Sequence, residues 1–237
     1  MKDLLVIMAC TKSHGTMEKY LGQLHVAGID THVEPITDWP TANTLGAQVE
    51  GQRRLAEKFS DYRYLIFSDA FDVTFYGEKS EVLKKIPNND VLIAAERNCS
   101  PDASLEKHMP GSTPWRFVNG GLFAGTPQSF LRWLDAIESH PIYNPKFLNQ
   151  GFFNILRFNN SPLVRIDHHT ELFYVLHHEQ DELQFEKGMP VNTIFGSRPN
   201  FLHAAGKWPM KGIMARRDES LGISRRVRWK IPKCSPA

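Results

Sequence analysis

The sequence predicts an α/β fold: a mixed, mainly parallel sheet flanked by helices, in a single domain. Three observations carry this. Short apolar, β-prone runs alternate with stretches of helical periodicity over the first two thirds of the chain, the pattern of right-handed βαβ units. The composition is that of a soluble globular protein, 41% hydrophobic and 23% charged in 237 residues. No repeat, no linker and no apolar run of the ~18 residues that a membrane span needs interrupts the pattern.

The elements follow in order. Residues 4–9 (LLVIMA) are a buried strand; the acid at Asp3 and the lack of a small-residue cleavage site speak for a strand and not a signal peptide. Residues 16–26 have helical spacing at Met17, Tyr20, Leu21 and Leu24. Residues 31–36 alternate as a second strand, and 44–59 form a polar-faced helix. Residues 64–68 are a third strand, 80–86 a short helix and 91–95 a fourth core strand. Residues 97–116 are long, irregular and rich in Pro, Ser and Gly, as functional or mobile loops are. Residues 117–124 (FVNGGLFA) are a strand with a glycine interruption, followed by helices over 128–138 and 148–158. Beyond Val164 the pattern weakens to short strands near 172–176 and 200–204.

The stretch YLIFSDAFDVTFYG, residues 64–77, sets two carboxylates, Asp69 and Asp72, directly after a buried strand. Ionised aspartates at the edge of a core need compensation. Either they sit in an ordinary strand-end turn, which uses Asp freely, or they hold a cation. In open α/β sheets ligands bind at the carboxyl ends of the strands, and hard cations prefer carboxylate oxygens while sharing substrate phosphates. Charge is uneven. Of 28 Lys/Arg and 26 Asp/Glu, nine and two lie from Lys207 onward, which leaves 19 and 24 before it. The body is thus about −5 and the tail about +7, so the tail is either a solvated arm or a hold on an anionic partner. Cys10, Cys99 and Cys234 are odd in number and lack metal-ligand spacing, which points to a reducing, cytoplasmic location.

Five segments occur in order: FSDAFDVTFYG, EVLKKI, VLIAAERNCSPD, RFVNGGLFAG and FLHAAGKWPMK. Together with LLVIMACTKSHGTMEKYL and GAQVEGQRRLAEKF they resemble the glycosyltransferase domain of procollagen lysyl hydroxylases and procollagen galactosyltransferases, over roughly residues 3–211. The resemblance implies a GT-A (Rossmann-like) fold, a UDP-sugar donor and Mn²⁺, with Mg²⁺ the other cation considered. Asp69 and Asp72 match the family's metal-binding pair, and His203 matches the histidine that completes the site. Phe71 falls where the family often has a tyrosine beside the uracil. Thr11 would line the nucleotide pocket, Gly120 and Gly121 would let the backbone approach the donor sugar, and Gly206 and Lys211 would lie near the diphosphate. The expected domains are residues 1–212 for the GT-A unit and 213–237 for a basic tail.

One departure affects the mechanism. Where the family carries a run of acids ending in Asp-Gln, this chain reads YNPKFLNQGFFN. Gln150 remains and Asn149 takes the key position; an amide is no general base at neutral pH. Asn149 and Gln150 are therefore expected to hydrogen-bond a sugar hydroxyl, and Glu96, Asp102 and Asp167 are unranked candidates for a base. The expected activity is transfer of a hexose or pentose from a UDP-sugar to a hydroxyl. The acceptors considered are a hydroxymethylated base in DNA, held by the basic tail (Arg216, Arg217, Arg225, Arg226, Arg228, Lys230, Lys233), hydroxylysine, and a lipopolysaccharide or other glycan. A non-catalytic nucleotide-sugar or nucleic-acid binding module is the alternative class. Trp115 could stack on a ligand or anchor a lid. Arg53 and Arg54 could reach phosphates or be solvated. The histidines at 168–169 and 177–178 read as surface or interface residues.

Overall fold

The computed structural model describes residues 1–10, 15–36, 44–108, 111–158, 161–176, 182–205 and 210–221. Its main sheet has six strands in the order β2-β1-β3-β6-β5-β7. These are β1 (Lys2–Cys10), β2 (Asp30–Pro35), β3 (Tyr62–Ser68), β5 (Val91–Glu96), β6 (Phe117–Gly125) and β7 (Val164–Ile166). Five run the same way; β6 alone is antiparallel to both neighbours, β3 and β5. The expected mixed, mainly parallel sheet is therefore found.

Helices cover both faces. Leu4, Val6 and Met8 of β1 point into one core with Met17, Tyr20 and Leu24 of α1 (Gly15–Val26). Leu5 and Ile7 point into the other, shared by α2 (Leu45–Lys58), α4 (Pro127–Glu138) and α5 (Asn149–Phe158). A strand buried on both faces reads as a continuous apolar run, which is why LLVIMA shows no alternation. Thr44 caps α2, its hydroxyl accepting from Ala47 N–H at 3.3 Å. The first turn of α2 is tied to the segment before α5: Leu45 N–H donates to Phe147 O and Gly46 N–H to Pro145 O.

A three-stranded sheet sits beside the main one, in the order β4 (Val73–Phe75), β11 (Phe201–His203), β8 (Phe173–Val175). A hairpin of β9 (Leu183–Glu186) and β10 (Met189–Asn192) and two further helices, α3 (Lys79–Lys85) and α6 (Met210–Ser220), complete the described elements. The sequence reading missed β4, β7, the hairpin and α6. The missed strands are three or four residues long, too short to show a period. The division expected at residue 212 falls inside α6, where Ile213 is buried in a third core cluster. No helix among the described residues is long and apolar enough to cross a membrane.

Among its described residues, loop 97–116 is irregular apart from a 3₁₀ turn at Ala103–His108. Trp115 at its end is a core anchor, fully buried, its indole N–H donating to Val175 O at 3.3 Å.

Candidate active site

The site forms where three chain segments meet at the carboxyl end of β3. Asp69 and Asp72 lie in the turn between β3 and β4. Asp69 N–H donates to Gly121 O at 2.8 Å, which fixes the turn to β6. His203 ends β11, opposite Val73 of β4, and Ala204 N–H donates to Asp72 O at 2.7 Å. Pairing of β11 with β4 thus delivers the histidine to a turn more than 130 positions earlier in sequence. His203 Nε2 lies 3.2 Å from Asp69 Oδ2 and 3.3 Å from Asp72 Oδ2. The three residues can each offer one ligand atom, all within 4.8 Å of one another.

The segment Asn119–Gly121 completes the arrangement. Between Ile93 and Ala95 of β5 the register shifts, and the partner moves from Phe123 to Val118. The residues between, at the glycine interruption, leave the β5 ladder as an irregular bulge, while Leu122 stays paired with Ser68 of β3. Freed from pairing, Asn119 turns its side chain inward. Its Oδ1 faces His203 Nδ1 at 3.0 Å and accepts from Gly121 N–H at 2.9 Å. Its Nδ2 donates to Glu96 Oε2 at 3.1 Å. Glu96, at 2% exposure, also accepts from Gln150 Nε2. With Nδ1–H donated to Asn119, the imidazole presents Nε2 to the carboxylates, the orientation a metal ligand needs.

Gly121 fits the same purpose. A Cβ there would lie 2.4 Å from His203 Cε1 and 2.5 Å from Asp69 Oδ2, so only glycine leaves the three ligands together. Two carboxylate oxygens and an imidazole suit Mn²⁺ and related divalent cations. The electrostatics agree. Burial would lower the His203 pKa, but the Asp72 and Asp69 carboxylates outweigh it and raise it to about 10. Burial raises Asp69, against the attraction of His203. The protonated imidazole therefore stands where a cation would neutralise the pair. Burial also pushes Glu96 up to about 7, against hydrogen bonds from Asn119 and Gln150 that favour its carboxylate.

The triad opens into a cleft of about 340 Å³, within the usual range of ligand pockets. Gly120, Gly121, Asn149 and Gln150 line it. Asn149 and Gln150 do not play equal parts. Gln150 is committed to Glu96 and lies 3.4 Å from Gly120 N–H, whereas the Asn149 side chain accepts from Gln150 N–H at 2.5 Å at the start of α5. Phe71 packs half-buried against the α1 core and is not among the cleft-lining residues. Thr11, Gly206, the side chain of Lys211, His177, His178 and the tail from Arg225 onward lie outside the described residues.

Of the three base candidates, Glu96 is sealed beneath Asn119 and Gln150. Asp102 is exposed and holds Ser104 N–H at 2.9 Å. Asp167 is structural, accepting from the backbone N–H groups of Glu171, Leu172 and Phe173 at 2.8–2.9 Å. Arg53 pairs with Asp135 and Glu138, while Arg54 lines the cleft and pairs with Glu34 at 2.7 Å. Arg216 donates to Leu183 O, and Arg217 pairs with Asp218. These two tail cations are thus engaged within the fold. The sequence reading missed Asn119, Glu34, Gln48 and Gln52. Gln52 carried a signal: it continues the buried spacing of Leu45, Val49, Leu55 and Ala56 with a polar side chain.

Comparison with known proteins agrees with this fold. The PLOD GT domain family matches residues 1–213. Protein R699 of Acanthamoeba polyphaga mimivirus, described as uncharacterized, is 26% identical over 164 residues, covering 67% of this chain and 34% of R699. The human multifunctional procollagen lysine hydroxylase and glycosyltransferase LH3 is 28% identical over 176 residues, 68% of this chain and 23% of LH3. The chain thus spans about a quarter to a third of these relatives. Among solved structures, a glycosyltransferase involved in glycosylation of the major capsid of PBCV-1 superposes with a TM-score of 0.52 at 13% identity, covering 93% of this chain and 99% of that one. The galactosyltransferase LgtC, in complex with donor and acceptor sugar analogs, gives 0.54 at 13% identity, covering 94% and 97%. These likenesses show the GT-A fold. With the family match spanning nearly its whole length, the chain belongs to the PLOD GT domain family and is a glycosyltransferase of the GT-A type.

Proposed function

We propose that this protein transfers a hexose or pentose from a UDP-sugar to a hydroxyl acceptor, with Mn²⁺ bound by Asp69, Asp72 and His203. The observation that carries the reading is the convergence of two carboxylates and a tautomerically fixed imidazole at the floor of one cleft. When bound, the cation supplies Lewis-acid stabilisation of the charge that develops on the diphosphate leaving group. The chain's own residues do the rest. Asn119 holds the His203 ring, and Glu96 holds Asn119 and Gln150. Gly120 and Gly121 let the donor sugar approach the backbone. Asn149, which lines the cleft, hydrogen-bonds a sugar hydroxyl in this reading.

Among the described residues the carboxylates that line the cleft are Asp69, Asp72 and Glu34, and Glu34 is held by His32 at 2.8 Å and Arg54 at 2.7 Å. The proton of the acceptor hydroxyl then goes to a departing diphosphate oxygen, on the face the leaving group vacates, and anomeric configuration is retained. The descriptions of the relatives support a hydroxyl on a protein or a glycan as the acceptor. None of the relatives and structures reported above is described as acting on DNA.

The test is UDP release from a panel of UDP-sugars by wild type and Asp72→Ala, with Mn²⁺, Mg²⁺ or EDTA. Mn²⁺-dependent release from one sugar, abolished by EDTA and by the substitution, is the expected outcome. Release that is equal with and without EDTA, or undiminished in Asp72→Ala, would refute the metal assignment.

A further inference from the structure

Asp69 and Asp72 sit in one turn, and α1, on the face of the sheet away from α2, holds both ends of that turn. Tyr20 and Gln23 stand one turn apart on α1. Tyr20 Oη lies 3.0 Å from Ser68 Oγ, and the Ser68 hydroxyl donates to Asp69 O at 2.8 Å. With its one proton given to that carbonyl, Ser68 Oγ accepts from the Tyr20 hydroxyl. At the other end Gln23 Oε1 accepts from Thr74 Oγ1 at 2.8 Å and from Phe75 N–H at 3.1 Å. The Tyr20 ring also meets Phe201 of β11 edge-on, with 6.5 Å between centroids. Each of the three candidate ligands thus lies close in sequence to a residue that α1 contacts. Asp69 follows Ser68, Asp72 precedes Thr74 by two positions and His203 follows Phe201 by two.

These contacts are internal. Tyr20 and Thr74 are each 1% exposed, and a buried hydroxyl is costly unless it finds a partner. The Tyr20 ring fills the α1 core as a phenylalanine would; its hydroxyl adds a link to the residue beside Asp69. One carbonyl oxygen of Gln23 serves two donors of β4, so the strand that leaves the turn is tied to the same helix as the strand that enters it. We propose that Tyr20 and Gln23 are positioning residues of the metal site. They fix the turn between β3 and β4 from both ends, which keeps the Asp69 and Asp72 carboxylates at the spacing a cation needs. Neither side chain is a ligand; both act through the segments that flank the turn. This assignment rests on the metal reading above.

Calorimetric titration of Mn²⁺ into the full chain, with the melting temperature of the metal-free protein beside it, tests the assignment on four variants. Tyr20→Phe keeps the buried ring and removes only the hydroxyl. Gln23→Met keeps the length of the side chain and removes the acceptor. Each should weaken Mn²⁺ binding ~10-fold, the lower cost of losing an outer partner. Gln23→Glu restores an acceptor oxygen and should bind Mn²⁺ at least as tightly as wild type. Leu24 is fully buried on the same helix, and Leu24→Val should lower the melting temperature without weakening Mn²⁺ binding. Wild-type affinity in Tyr20→Phe or in Gln23→Met removes that residue from the assignment, and in both it overturns the assignment. Weakened binding in Gln23→Glu likewise removes Gln23. A loss in Leu24→Val as large as in the other variants overturns the proposal, because the effect then belongs to the packing of α1; in each of these cases the metal reading stands. If wild type binds no Mn²⁺, the metal reading fails and this assignment fails with it.

Discussion

The two ends of the cleft are built on opposite principles. At the metal end every polar group of the network has a partner: His203 meets Asp69, Asp72 and Asn119, and Glu96 meets Asn119 and Gln150. At the α2 end two amide carbonyls have none, and a glycine keeps open a space that no side chain fills. The first end is preorganised: its geometry exists before anything binds, so little reorganisation is needed in the reaction. The second end is left incomplete, and each buried unpaired acceptor there (Gln48 Oε1 and Gln52 Oε1) costs stability. Substitutions at the first end should therefore harm metal binding and activity. At the second, they can raise stability.

The largest break should come from Gly121→Ala. Its methyl would displace His203 or Asp69, and misplacement by about 1 Å can cost ~10²-fold in rate. Mn²⁺-dependent UDP release should fall by about that factor, while thermal denaturation shows the fold retained. Activity close to wild type would show that the triad tolerates a displaced ligand.

Asn119→Ala comes next. It removes the hydrogen bond that fixes the His203 tautomer and leaves Glu96 short of a donor. Metal affinity measured by calorimetry should drop ~10–100-fold, the usual cost of losing such an outer partner.

Glu96 gives the metal end a pH signature. Its folded pKa of about 7 lies above the ordinary carboxylate value of 4.5. The folded state thus holds this proton more tightly than the unfolded chain. The associated stability is fully present below about 4.5 and is lost as pH rises through about 7, a change of about 3 kcal/mol. Denaturant midpoints of the metal-free protein across pH 4–8 should fall over that window. In Glu96→Gln the slope from this group should vanish; an unchanged slope would assign the dependence elsewhere.

The smallest effect belongs to the other end. Gly51→Ala adds a methyl to open space within a helix and should raise stability by ~0.5–1 kcal/mol, visible as a higher melting temperature. A loss of stability would show that the space beside α2 is not free.

The sequence by itself determined the α/β class, because strands buried on both faces and helices with one apolar stripe leave period and composition on the chain. It also held the acidic turn, whose position after a buried strand marks the carboxyl edge of the sheet, and the resemblance that named His203 and the glycine segment. Tertiary structure alone decided what those residues do together. β4 and β11 are each three residues long and carry no period, yet their pairing brings His203 to Asp69 and Asp72. The irregular bulge opposite Ile93 and Ala95 turns Asn119 inward, a register effect that no local pattern encodes. The three unranked carboxylates were told apart only by burial and partners: Glu96 sealed under the site, Asp102 in solvent, Asp167 holding a loop. Local propensity reads from neighbours along the chain; a site assembled from β3, β6, α2, α5 and β11 depends on which segments the sheet order makes neighbours in space.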